Sequence, residues 1–409
     1  MRVTIFTQFF PPEMEPSGFM FDSFASYLAK QDRIKQIDVI SGFANFPQGK
    51  FINRDWLSFF RTTKKNGINH HNVFVVPSDN KSNIKRIINY TSFLFTSLIR
   101  GLFLKSPDIV IATSPPIFSA LAGLIVAKIK GSKFVLDIRD IWPESAIQMG
   151  SIKNKFIIKV LEKLEIFLYK NSSLITVATP GMVDLVKEKM GNDQIPVKYI
   201  PCGVRIPKND NTSKTIDNPF EIEDHSKFCV LYAGLHGYAQ NLLTIVDSAF
   251  LLRDDENIVF YFIGEGPDKQ RALDYAKKLG LQNIRFLSPV SRETIRNYFK
   301  FTGCAIVPLR DLEIFKNVFP SKTFELMSYG VPSVVGVGGE IGRLIEKNQA
   351  GISVKPEDSR DYAEAIKKYS SNPDLCKTIK NNALKTAKTE FDYKVVNKRF
   401  FELLTKILE

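Results

Sequence analysis

The stretch VPLRDLEIFKNVFPSKTFELMSYGVPSVVG, residues 307–336, decides the fold. An apolar strand, CAIVPL (304–309), ends in an irregular loop. A helical period follows at KTFELMSYG (322–330), and then a β-branched run, SVVGVGG (333–339). Strand, helix and strand in so short a span predict a βαβ unit, the building block of parallel sheets. Ligands of open parallel sheets bind beyond the carboxyl ends of the strands, so the chemistry is expected in the loop after Leu309. Arg310 follows the strand, Pro320-Ser321 precede the helix, and Lys322 and Glu325 lie in its first turns. A helix N-terminus beside a lysine suits a diphosphate. A glutamate one turn further in can accept hydrogen bonds from two ribose hydroxyls. The same residues also fit a plain helix with Ser321 as N-cap and Lys322 and Glu325 as a surface pair.

Outward from this unit the alternation continues. FCVLYAG (228–234), IVFYFIG (258–264) and IRFLSPV (284–290) alternate with helical periods. VTIF (3–6), DVIS (38–41), VFVV (73–76), IVIA (109–112), KFVLDI (133–138), LITVA (174–178) and VKYI (197–200) do the same earlier in the chain. The polar stretch PKNDNTSKTIDNPFEIED (207–224) has linker composition. The expected architecture is α/β: two doubly wound Rossmann-like domains whose parallel sheets face an interdomain cleft. The expected boundaries are 1–206 for the first domain, 207–226 for the linker, 227–390 for the second domain and 391–409 for a C-terminal helix that can return to the first domain.

The 409 residues are 44% hydrophobic and 24% charged, which excludes a disordered chain, a collagen-like repeat and a polytopic membrane protein. The uncharged run 109–127 is divided by Pro115-Pro116 and reads as strand, turn and buried helix. The four cysteines are scattered, which favours a reducing compartment over a disulfide or zinc framework, and the N-terminus does not fit a signal peptide. The net charge of +13 is concentrated in residues 1–200, where 26 Lys+Arg face 16 Asp+Glu. Such asymmetry points to an anionic partner. Residues 84–105 and 152–170 read as basic amphipathic helices fit for a bilayer interface, although covering a sheet would use the same pattern. A groove-reading motif for nucleic acid is missing.

Four further post-strand loops carry candidates. Gly18 precedes a helical run in TQFFPPEMEPSGFMFDSFA (7–25). In VLDIRDIWPESA (135–146), Asp137, Arg139, Asp140 and Glu144 crowd the end of a buried strand, where charges need partners or a function. Arg139 and Asp140 are the candidate catalytic residues, while pairing of Arg139 with an aspartate as scaffolding is the competing reading. In YAGLHGYAQNL (232–242), Gly234 and Gly237 permit backbone approach to a phosphate, and His236 is expected at the surface. FIGEGPDKQ (262–270) offers Gly264 and Gly266, but Lys269 occupies the third glycine position of a dinucleotide fingerprint.

Taken together, FFPPE with Gly18, LDIRDIWPES, TPGM (179–182), IPCGV (200–204), YAGLHGYAQNL, FIGEGP and PSKTFELMSYG resemble the GT-B retaining glycosyltransferases of family 4. The similarity is to the branch that assembles bacterial O-antigen, capsule and exopolysaccharide, including the fucosamine-transferase type. It implies an acceptor-binding first domain and a nucleotide-sugar-binding second domain. It implies donor contacts at Gly18, Gly237, Gly266, Arg310, Ser321, Lys322 and Glu325, the last being the second glutamate of the E-x7-E motif. It implies no metal and no cofactor, the sugar nucleotide being a substrate, and a lipid-linked saccharide acceptor. The expected location is cytoplasmic, at the inner face of the cell membrane. This chain departs from the pattern at Asn317, where the first glutamate falls, at Leu235 and Gln240, where many members carry Arg and Lys, and at Cys202, the usual Asn. Two other functions stay open: a nucleotide-sugar 2-epimerase of the same fold, and a non-catalytic nucleotide-sugar-binding subunit, which Asn317 and the missing Arg/Lys pair motivate.

Overall fold

The computed structural model describes residues 1–13, 15–45, 49–52, 58–78, 83–148, 150, 152–191, 193–207, 218–220 and 227–409. It divides into two compact units, Met1–Gly203 with Tyr393–Glu409, and Val204–Asp392.

The first unit carries β1 (Arg2–Phe6), α1 (Pro16–Leu28), β2 (Gln36–Gly42), β3 (Phe60–Lys65), β4 (Ile68–Val73), α2 (Asn83–Phe103), β5 (Ile109–Ser114), α3 (Ile117–Lys130), β6 (Lys133–Ile138), α4 (Glu144–Gln148), α5 (Lys155–Lys170), β7 (Leu174–Val177), α6 (Pro180–Met190) and β8 (Val197–Tyr199). The strand order is β3-β4-β2-β1-β5-β6-β7-β8. Every pairing is parallel except β3 with β4. β5 is buried along its whole length, as a strand covered on both faces requires. β3, FRTTKK, is the exposed antiparallel edge, and its lysines discourage pairing with another chain. The uncharged run 109–127 is β5 followed by α3. Among the described residues no helix is long and apolar enough to cross a membrane.

The second unit carries β9 (Phe228–Ala233), α7 (Leu242–Leu251), β10 (Ile258–Ile263), α8 (Lys269–Lys278), β11 (Ile284–Leu287), α9 (Arg292–Phe301), β12 (Cys304–Pro308), α10 (Ser321–Tyr329), β13 (Ser333–Gly336), α11 (Glu340–Asn348), β14 (Ile352–Ser353), α12 (Ser359–Ser370) and α13 (Pro373–Thr386). Its sheet is wholly parallel, in the order β11-β10-β9-β12-β13-β14. From β9 the chain winds outward to β10 and β11, and then returns to β12 on the other side. That reversal opens a crevice at the carboxyl ends of β9 and β12.

The chain passes between the units at 203–204 and 392–393, so the second unit begins earlier than residue 227. Most of 207–226 lies outside the described residues. Phe220 is buried in the second unit's core against Tyr261 and Tyr298, since an aromatic ring within a polar stretch still gains by burial. The last helix, α14 (Tyr393–Lys406), covers one face of the first sheet beside α1. Phe400 stacks on Phe24 at 4.4 Å, and the Asn397 amide donates to Ser23 Oγ at 3.0 Å. Phe400→Ala leaves a cavity in that layer and is expected to cost about 3–5 kcal/mol of the first unit's stability. Chemical denaturation followed by circular dichroism checks this; a loss under about 1 kcal/mol, the level of an ordinary surface change, would refute the packing role.

Candidate active site

The carboxyl ends of β9, β10 and β12 and the start of α10 gather most of the candidates of the second unit. Pro320 is the N-cap of α10 and, having no polar side chain, offers no cap hydrogen bond, so Ser321 is the first helical residue rather than the cap. The partial positive charge of the helix start is therefore left for a ligand. Lys322 in the same turn lays its ammonium over the Tyr232 ring, 4.2 Å from the centroid. The Tyr232 hydroxyl donates to the Leu235 carbonyl at 2.5 Å, which fixes the ring. Gly234 stands at φ +145°, a conformation that strains other residues, and a Cβ there would lie 2.5 Å from Lys322 Nζ and push the ammonium aside. Burial pulls the Lys322 pKa down to about 8, with the Glu325 charge opposing. Glu325, one turn further along, accepts from Arg292 Nε of α9 at 3.3 Å.

The loop after β12 is pinned at its root. Arg310 N–H donates to the Ala239 carbonyl at 2.9 Å, and Asp311 N–H to Glu357 Oε2 at 2.9 Å. The other oxygen of Glu357 accepts from Asn241 Nδ2 at 2.6 Å. Glu357 and Asn241 both hold left-handed backbone conformations, φ +59° and +41°. The buried Nε of Arg310 has no hydrogen-bond partner among the described residues, which leaves donor capacity at the site.

The glycine-rich turn differs from expectation in three respects. His236 is fully buried, not at the surface, with its ring between Tyr232 and Phe262. Burial, together with the charges of Lys269 and Lys322, lowers its pKa to about 4, so the imidazole is neutral at physiological pH. Gly237 has φ −100°, and a Cβ there would meet only the ends of the Gln240 and Leu235 side chains, so Gly234 is the glycine that the conformation requires. Gly264 and Gly266 serve backbone packing. Side chains there would strike the carbonyls of Gly234 and His236, and His236 N–H donates to the Glu265 carbonyl at 2.9 Å.

In the first unit, Gly18 lies in the first turn of α1. A Cβ there would approach the Phe9 carbonyl to 2.9 Å, so glycine lets the post-β1 loop cross the helix. Its N–H is not open, because the Glu15 carboxylate caps the helix, accepting from Ser17 N at 2.8 Å and Gly18 N at 3.1 Å. Arg139 grips Asp137 through Nε at 2.5 Å and also through Nη2, and its Nη1 donates to the Ile200 carbonyl at 2.9 Å. Burial works against the guanidinium, but Asp137 holds its pKa above the usual value. Thr176 Oγ1 completes the Asp137 partners at 2.6 Å. The scaffolding arrangement is thus the one observed for Arg139. Asp140 next to it is different: burial raises its pKa, against hydrogen bonds from Ser145 and Ile141. Among the described residues no three His, Cys, Asp or Glu side chains gather as a metal site.

Tyr232, Arg292 and Glu357 join the site from outside its sequence stretch. Tyr232 lies in an apolar strand, and the other two lie on distant segments. No local pattern signals them.

Residues 213–386 match the family described as Glycosyl transferases group 1. The chain is 22% identical over 380 residues to WcaI of Escherichia coli K12, a protein named as a colanic acid biosynthesis glycosyl transferase, covering 90% of this chain and 91% of that one. The fold is similar to sucrose-phosphate synthase of Thermosynechococcus elongatus, with a TM-score of 0.76 at 12% identity over 100% and 99% of the two chains. It is also similar to Anabaena Alr3699/HepE, solved with UDP-glucose, with a TM-score of 0.70 at 15% identity over 99% and 100%. Two parallel-sheet domains of this kind are the GT-B fold. The protein is an enzyme, a glycosyltransferase.

Lys322 is expected to titrate near pH 8 in the free protein. Glu325→Gln removes the charge that supports the ammonium and is expected to lower that value further. Nitrogen-15 NMR of the lysine Nζ checks both; a midpoint near 10.4, the unperturbed value, would show that the ammonium is solvated instead.

Proposed function

We propose that the enzyme moves a sugar from a nucleoside diphosphate donor, a UDP-sugar, to a lipid-linked saccharide acceptor in bacterial surface polysaccharide biosynthesis, with retention of configuration and without a metal. An N-acetylated or deoxy-amino sugar fits the family branch that the sequence resembles. The observation that carries this reading is the uncapped start of α10 with the Lys322 ammonium at its first turn and Glu325 one turn further. HepE, of the same fold, was solved with UDP-glucose, and WcaI is named for a polysaccharide pathway.

The chemistry follows from charge. As the anomeric carbon–oxygen bond breaks, the diphosphate gains negative charge and the sugar becomes oxocarbenium-like. The α10 amides, Lys322 and Arg310 stabilise the departing diphosphate more than the ground state, which is the condition for accelerating the step. Glu325 holds the ribose hydroxyls, after exchanging some of its contact with Arg292. In a retaining transfer the acceptor oxygen attacks from the face that the diphosphate leaves, and its proton passes to the departing phosphate oxygen. Asn317 is neutral where the family places a carboxylate, so the donor sugar there would meet an amide.

The acceptor side of this reading rests on the helices of the first unit. α2 exposes Ile84, Phe95 and Phe103, the last at 80%, and α5 exposes Phe156 at 75% and Phe167. Both helices, with α3 between them, cover the same face of the sheet. Lys85, Arg86, Lys105, Lys155, Lys159 and Lys163 accompany these rings. Arg100 turns inward instead, to Thr62 and His71, both at 2.9 Å. Apolar side chains flanked by lysines suit the surface of an anionic bilayer, where a lipid-linked acceptor resides.

Two outcomes are expected. Glu325→Ala lowers transfer by about 100-fold or more through loss of a charged bidentate contact, and near wild-type turnover would reject the ribose role. Phe95→Ser with Phe103→Ser abolishes co-sedimentation with phosphatidylglycerol vesicles while the melting temperature is kept; unchanged co-sedimentation would remove the membrane surface from the proposal.

A further inference from the structure

At the opposite edge of the second sheet, at the amino ends of β9, β12 and β13, lies a cavity of about 620 Å³. That volume is within the range of small-molecule sites. Its walls are aromatic: Phe228, Phe299 and Tyr329, with the last two rings 5.2 Å apart. Two glycines shape it. A side chain at Gly303 would strike the Phe228 ring at 2.5 Å, and one at Gly330, in the left-handed cap of α10, would press on Lys380 Cγ at 2.8 Å. The rim carries three exposed lysines, Lys300, Lys377 and Lys380, and none of them has an ion-pair partner among the described residues. Lys377 and Lys380 follow Pro373 on one face of α13, so the first turn of that helix also faces the cavity. Water screens these exposed charges from one another, but an anion seated in the recess would be attracted by all three ammonium groups.

We propose that this cavity is a second ligand site, distinct from the donor site, for a planar or aromatic body bearing two or more negative charges. The rings take the planar body and the lysines take the charges. The inference does not rest on the proposed transfer reaction.

The test is fluorescence anisotropy of 8-hydroxypyrene-1,3,6-trisulfonate titrated with the full chain at low salt and saturating UDP. Saturable binding that persists in UDP is expected. Lys377→Glu with Lys380→Glu should weaken it by at least about tenfold, because two cations facing a trianion become anions. Lys380→Ala alone should weaken it measurably, and it serves as the milder substitution should the double variant melt early. Phe95→Ser with Phe103→Ser should leave it unchanged. The proposal is overturned if UDP displaces the probe, if the lysine variants bind as the wild type does, or if the α2 variant is the one that loses binding.

Discussion

A lysine ammonium held on an aromatic face, with no hydrogen-bond acceptor among the described residues, is the constraint on which the second unit's site depends. Lys322 rests on the face of Tyr232, and its Nζ would be displaced by any side chain at residue 234. An ammonium held this way gives up solvation that a ring and a nearby carboxylate only partly restore. The start of α10 next to it adds the positive end of an uncapped helix, and Arg310 adds a buried Nε with no hydrogen-bond partner among the described residues. Positive character thus gathers around the start of α10, with Glu325 as the carboxylate beside it. Charged groups with so little partnering are typical of binding sites.

The fold supplies the position. Parallel strands run their carboxyl ends to one edge, and the reversal between β9 and β12 separates the two loops that would otherwise close over it. Glu357 then joins the loop after β12 to the turn before α7, using one carboxylate oxygen for each. The strained backbone at Glu357 and Asn241 is offset by these bonds. In the first unit the Arg139–Asp137 pair does similar work beneath the post-strand loop, tying β6 to the segment after β8 through the Ile200 carbonyl.

Much of this was legible in the sequence because period and punctuation are local. CAIVPL, SVVGVGG and the helical period between them were enough to place α10 and its loop, and the alternation gave both parallel sheets. Lys322, Glu325 and Arg310 were visible because all three follow one strand end, Pro308, in a single stretch of sequence. What stayed hidden depended on contacts distant in sequence. Tyr232 reads as one more apolar strand residue, and only the fold brings it under Lys322. Glu357 lies 116 residues from Asn241, its partner. His236 reads as a turn residue because the turn is polar and glycine-rich, yet packing against the loop at Gly264–Gly266 buries it completely. Arg139 left two readings open in the sequence, and its bidentate pair with Asp137 is visible only in the fold.

The grip of Lys322 on a diphosphate is tested most directly by its proton. At pH 8.5 the free side chain is largely neutral, because its pKa is lowered to about 8, and an anion seated against it must draw a proton from solution. Calorimetric titration with UDP in buffers of different ionisation enthalpy reads that uptake. Wild type should take up a net proton at pH 8.5, and Lys322→Met should show none and bind more weakly. Equal affinity and equal proton uptake in the two proteins would contradict the central role given to Lys322.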